Sequence, residues 1–140
     1  MSIQIEILLV EDDDISAQAA RTLLERLGCT VDHVFNGAEA IELFGKKSYD
    51  LIFMDWQMPQ MDGLETTARI RRMPQGLVTP IVGTSASMSR LECVAAGMND
   101  VMPKPFLLHA LKMGLAKWTL WKDDVAGASR NLSFEDRPEF

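Results

Sequence analysis

Leu51-Ile52-Phe53-Met54 is an unbroken apolar run that ends in Asp55, and the turn-forming stretch Trp56-Gln57-Met58-Pro59-Gln60-Met61-Asp62-Gly63 follows it directly. A short run of this kind between turn signals fits a strand covered on both faces, as strands of parallel sheets are. Asp50 to Asp55 therefore reads as an interior strand. Asp55 falls at its carboxyl end, the edge where open α/β sheets place their ligands. A carboxylate there either caps the next helix or is a reactive group.

The rest of the chain alternates in the same way. Ile5 to Val10 is a second apolar run, closed by the acidic loop Glu11-Asp12-Asp13-Asp14. A helix follows with Asp14 as N-cap, Ala20, Leu23, Leu24 and Leu27 on one face, and Gly28 as its end. Cys29 to Phe35 is a strand, and Asn36-Gly37 turns into a helix carrying Ala40, Ile41, Leu43 and Phe44 that fails near Gly45. After the Asp50–Asp55 strand, a helix from Gly63 to Arg72 should turn Leu64, Ala68 and Ile70 inward before Pro74-Gln75-Gly76 breaks it. Pro80 to Ser85 is the fourth strand, Ser89 to Ala96 a helix closed by Gly97, Asp100 to Pro105 a short fifth strand, and Phe106 to Trp121 the last helix. Five strands alternating with five helices predict a parallel sheet with helices on both faces.

Composition narrows the function. With 14 basic and 20 acidic residues the net charge is −6, and no basic face is visible for a phosphate backbone, which argues against nucleic acid as a partner. No run reaches transmembrane length, and Met1 to Ile5 has no signal-peptide pattern. Cys29 and Cys93 lack metal-site spacing and read as two buried thiols, which places the domain in a reducing cytoplasm.

Polar groups recur where strands end: Glu11 and Asp12 after the first, Asp55 after the third, Ser85 after the fourth, Lys104 at the fifth. Parallel strands bring all of these ends to one edge. Three carboxylates gathered there repel one another and favour a hard divalent cation, magnesium fitting best because it is content with one or two carboxylates, water and phosphate. An aspartate beside such a cation can be a nucleophile toward phosphorus, with Ser85 and Lys104 meeting the phosphoryl oxygens. Taken singly, each feature has an ordinary reading: a solvated, helix-capping acidic loop, a strand-end hydroxyl in a turn, a surface lysine. On matching strand ends they form one constellation.

Leu8-Leu9-Val10-Glu11-Asp12-Asp13, Asp55-Trp56-Gln57-Met58-Pro59-Gln60-Met61-Asp62-Gly63, Pro80-Ile81-Val82-Gly83-Thr84-Ser85-Ala86 and Lys104-Pro105 together resemble the receiver domain of two-component response regulators, over roughly Glu6 to Trp121. The resemblance implies a doubly wound α/β fold, a five-stranded parallel sheet of flavodoxin-like order 2-1-3-4-5. It implies Asp55 as phosphoacceptor, charged by a histidine kinase or histidine phosphotransfer protein. It also implies Asp12 as the main magnesium ligand, Glu11 acting largely through water, the Gln57 backbone carbonyl as a further ligand, and Ser85 and Lys104 as the switch hydroxyl and phosphate-pairing lysine. In that family the bond corresponding to Lys104-Pro105 is cis.

The family's usual aromatic residue, three before the lysine, is Val101 here, so a ring rotation cannot carry the output. A pseudo-receiver that binds a partner without phosphorylation is the alternative, and the intact Asp12, Asp55, Ser85 and Lys104 argue against it. A phosphohydrolase of the haloacid dehalogenase type would place an aspartate where Gln57 stands, and a flavin carrier would not put Glu11 to Asp14 where phosphate binds. Residues 1–122 read as the receiver domain and 123–140 as a linker remnant or loosely docked tail. In the last helix Leu108, Leu111, Leu115 and Trp118 should face the core. Leu107, Leu120 and Trp121 are surplus, to be covered by the tail through Phe134 and Phe140 or by a second copy in a homodimer.

Overall fold

The computed structural model describes residues 4–58, 60–85 and 89–128, the last nine of them as backbone only. Strands β1 (Ile5–Val10), β2 (Cys29–Val34), β3 (Leu51–Asp55), β4 (Ile81–Ser85) and β5 (Asp100–Pro103) form one sheet in the order β2-β1-β3-β4-β5. Every pairing is parallel, with Leu9 opposite Phe53 and Asp55 opposite Thr84. Helices α1 (Asp14–Arg26), α2 (Gly37–Phe44), α3 (Gly63–Arg71), α4 (Arg90–Ala96) and α5 (Leu108–Ala128) alternate with them. This is the doubly wound order expected, with β1 and β3 in the interior.

Strand alternation divides the core in two. Ile7, Leu9, Leu51, Phe53 and Val82 pack with α1 through Ala17, Ala20 and Leu24, and with α5 through Leu111, Leu115 and Trp118. Leu8, Val10, Ile52, Met54 and Ile81 face the other way, onto Ala40 and Phe44 of α2, Ile70 of α3 and Cys93 of α4. The unbroken run in β3 is thus used on both faces, and all five of its residues are buried. Both cysteines are free and buried.

The N-cap expected for α1 moves by one residue. Asp13, not Asp14, caps α1, its carboxylate accepting from the Ser16 amide at 2.8 Å. Asn36, Asp62 and Ser89 cap the next three helices, Ser89 in a reciprocal box with Glu92. Gly97 ends α4 in the left-handed region at φ 89°.

Three expectations about helix faces and ends differ from what forms. In α3 the buried residues are Thr66, Thr67 and Ile70, while Ala68 is exposed. Capping at Asp62 sets the rotation so that 63, 66, 67 and 70 face the sheet, and the Thr66 hydroxyl can be buried because it donates to the Asp62 carbonyl at 2.8 Å. In α5, Leu108 lies at the rim, 37% exposed, whereas Leu111, Leu115 and Trp118 are buried. The helix also starts at Leu108 rather than Phe106 and continues past Trp121 to Ala128. Of the surplus apolar residues, Leu107 is exposed. The side chains of Leu120 and Trp121 lie outside the described residues, as do Phe134 and Phe140.

Trp118 pins α5 to the sheet. Its indole is fully buried, meets Phe53 edge-on with ring centroids 5.6 Å apart, and its Nε1–H donates to Asp100 Oδ2 at 3.3 Å. Asp100 is itself fully buried and takes a second partner from α4, Arg90, at 3.3 Å. The room for the indole is made one turn earlier, at Gly114, where a Cβ would come within 2.6 Å of the ring. Gly114→Ala gains helix propensity but collides with a side chain that has nowhere to go, so a net loss of about 1–2 kcal/mol is expected in denaturant unfolding. Unchanged stability would mean that the indole can be reseated freely.

Candidate functional site

The strand ends converge as their order requires. β1 and β3 are neighbours, so Glu11 and Asp12, just beyond Val10, come beside Asp55, the last residue of β3. One carboxylate oxygen from each of Glu11, Asp12 and Asp55 lies within 4.8 Å of the others. Glu11 and Asp55 are each only 4% exposed, while Asp12 stands open at the lip.

Lys104 enters from the loop after β5, following a Pro103-Lys104 stretch whose next peptide, Lys104-Pro105, is cis. Its ammonium pairs with Glu11 Oε1 at 2.6 Å and with Asp55 Oδ1 at 3.3 Å. Burial opposes that charge, but the two carboxylates outweigh it and hold the Lys104 pKa above its ordinary value. Ser85 ends β4 one residue beyond Thr84, the partner of Asp55, and its carbonyl accepts from the Lys104 amide at 3.3 Å. Gln57 is exposed in the loop two residues past Asp55. That loop holds tightly to the strand end: the Gly63 amide donates to the Trp56 carbonyl at 2.9 Å, and a Cβ on Gly63 would collide with the Asp55 carbonyl. Any larger residue at 63 would therefore push α3 away from the end of β3.

Electrostatically the site is unbalanced. Burial, and then the charge of Glu11, push the Asp55 pKa from 3.8 up to about 7, with Lys104 opposing. Among the described residues, three carboxylates face one ammonium, and their oxygens are hard donors. That set fits a divalent cation such as magnesium, with Glu11, Asp12 and Asp55 as the side chains that would hold it.

Two further contacts hold Glu11, one local and one from a neighbouring strand. The Asp13 amide donates to Glu11 Oε2 at 3.1 Å, and His33 Nε2 reaches the Glu11 carbonyl at 2.9 Å from β2. A lone histidine near the end of β2 carries no motif, and only the pairing of β1 with β2 brings it here.

Residues 7–115 match the family model described as "Response regulator receiver domain". The chain is 36% identical over 123 residues to the aerobic respiration control sensor protein ArcB of Escherichia coli K12, covering 86% of this chain and 16% of that one. It is 37% identical over 126 residues to the hybrid signal transduction protein dokA of Dictyostelium discoideum, covering 89% and 7%. The chain thus spans a small part of these relatives. Among solved structures it resembles the receiver domain of the sensor histidine kinase PA1611 of Pseudomonas aeruginosa, solved with magnesium coordinated in its active-site cleft. The TM-score is 0.77 and the identity 35%, over 84% of this chain and 98% of that one.

The raised pKa of Asp55 sets a pH dependence. In metal-free buffer the folded protein keeps a proton on Asp55 that the unfolded chain releases, so stability falls as pH rises from about 4 to about 7. Asp55→Asn removes that penalty and should be more stable than the parent at pH 8 by about 1–2 kcal/mol, the gap closing toward pH 4. Thermal unfolding of the two proteins across this range checks it. A variant less stable at pH 8 would contradict the electrostatic account.

Proposed function

Because this chain belongs to the response regulator receiver domain family, we propose that it accepts a phosphoryl group on Asp55 from a phosphohistidine of a histidine kinase or histidine phosphotransfer protein. The observation that carries this reading is the gathering of Glu11, Asp12 and Asp55 within 4.8 Å, with Lys104 bridging Glu11 and Asp55. Magnesium is the proposed cofactor, on Glu11, Asp12, Asp55 and the Gln57 backbone carbonyl, and when bound it offsets the negative charge that otherwise keeps a phosphoryl group away.

An Asp55 carboxylate oxygen attacks phosphorus while the bond to the donor's imidazole nitrogen breaks, its electron pair returning to the ring. Lys104, already 3.3 Å from Asp55 Oδ1, pairs with one phosphoryl oxygen, and the Ser85 hydroxyl donates to another. Burial of Asp55 keeps water from competing for the transferred group. The donor approaches along an apolar groove of about 330 Å³ lined by Ile15, Ala19, Leu23, Pro105 and Phe106, which opens beside Glu11 and Lys104. The receiver unit is taken as residues 1–122 with 123–140 as its extension, working in the cytoplasm. Among the described residues, no helix is long and apolar enough to cross a membrane. Nucleic acid is not a partner in this reading, since the chain is acidic, and exposed Leu107 and Met113 on and beside α5 leave apolar surface for a second copy.

Incubation with acetyl phosphate and magnesium, followed by intact mass measurement, should add one phosphoryl group to the parent chain and none to Asp55→Asn. Asp12→Ala should also remain unmodified at magnesium concentrations on the order of 10⁻³ M, where few-ligand sites fill. Normal modification of Asp12→Ala would refute the ligand assignment.

Val101 is half-buried against the α2–α4 side of the core, opposite Gly83 of β4. With no ring to rotate, phosphorylation should change hydrogen exchange mainly in the loops after Asp55 and Ser85. Protection changes confined to Met98–Met102 would contradict this.

A further inference from the structure

We infer that His33 is a positioning residue for magnesium, acting through the peptide that joins Glu11 to Asp12; the inference rests on the magnesium reading above. Glu11 is held at every polar atom it offers. Its amide donates to the Val34 carbonyl at 3.1 Å, the last rung between β1 and β2. Its carboxylate is divided between the Lys104 ammonium at 2.6 Å and the Asp13 amide at 3.1 Å. Its carbonyl is met by His33 Nε2 at 2.9 Å, and because a carbonyl can only accept, Nε2 must carry the hydrogen.

That carbonyl belongs to the peptide from which the Asp12 side chain departs. Rotation of the peptide plane about its flanking bonds would swing the Asp12 carboxylate while leaving the ladder and the Glu11–Lys104 pair intact. His33 opposes that rotation. Its own ring is steadied by Phe35, 4.3 Å away between centroids and tilted by 51°. Asp12 is the exposed member of the carboxylate cluster, so it is the one whose placement burial does least to fix. A hydrogen bond to the backbone beside such a ligand restricts where its oxygens can be, as outer partners of metal ligands do.

The test titrates the full chain with magnesium alone, reading emission of the half-buried Trp56 beside Asp55. His33→Leu keeps bulk against Phe35 but cannot donate, and His33→Gln keeps an N–H of similar reach. Leucine should weaken magnesium affinity about fivefold or more, glutamine less than about twofold, with modification by acetyl phosphate at saturating magnesium returning toward the parent rate in both. Thermal unfolding without magnesium separates loss of fold from loss of ligand placement. If the leucine variant does not fold, His33→Thr, whose hydroxyl is too short to reach the carbonyl, replaces it. Parental affinity in the leucine or threonine variant overturns the inference, as does equal weakening by glutamine. Absence of any magnesium response in the parent chain would instead overturn the metal reading itself, and this inference with it.

Discussion

The repulsion among carboxylates at one sheet edge is the constraint around which the rest is arranged. Folding drives Asp55 to 4% exposure beside an equally buried Glu11, and among the described residues the Lys104 ammonium alone pairs with them. Such an arrangement is costly without a counter-charge, since desolvation disfavours each ionised group and their proximity disfavours both together. It persists because the sheet that imposes it is buried on both faces and has no inexpensive way to relax. The same imbalance gives the site its chemistry: a place short of positive charge receives a dication readily, and a carboxylate deprived of solvent is ready to share an oxygen with phosphorus.

The two half-cores do different work. On one side, α1 and α5 close over Phe53, and the Trp118–Asp100–Arg90 contacts tie α5, β5 and α4 together around a fully buried carboxylate. Burial raises the Asp100 pKa while the Val101 amide and the Trp118 indole hold it down, so the group sits in a satisfied hydrogen-bond set rather than in a reactive one. It shows that buried acid alone does not mark a reaction centre. What separates Asp55 from Asp100 is the company of Glu11 and Asp12 at an open edge.

On the other side, α2, α3 and α4 cover the sheet, and Arg71 links the end of α3 to the end of α4. Its guanidinium donates to the carbonyls of Gly76, Gly97 and Thr79 and to Asn99 Oδ1, joining the end of α3 to the turns before β4 and β5. The turns before β4 and β5 are therefore fastened by a side chain.

The alternation of strands and helices, the place of Asp55 at a strand end and the polar residues at the other strand ends were all legible in the chain. Period, run length and turn formers are local properties, and parallel order turns them into one edge. The resemblance carried the strand order, which agrees with the sheet that forms. Helix rotation was less legible: Leu64 packs at the edge of the core and Ile70 within it as expected, but Ala68, at the same spacing from Leu64, turns outward while Thr66 and Thr67 face the sheet. Gly114 and Trp118 look like a weak spot and a core stripe until the indole is seen to occupy the missing Cβ's space. His33 is the clearest case of what tertiary structure alone decides. Its ring reaches Glu11 because β2 lies beside β1 in register, a relation between residues 22 apart that no local pattern records.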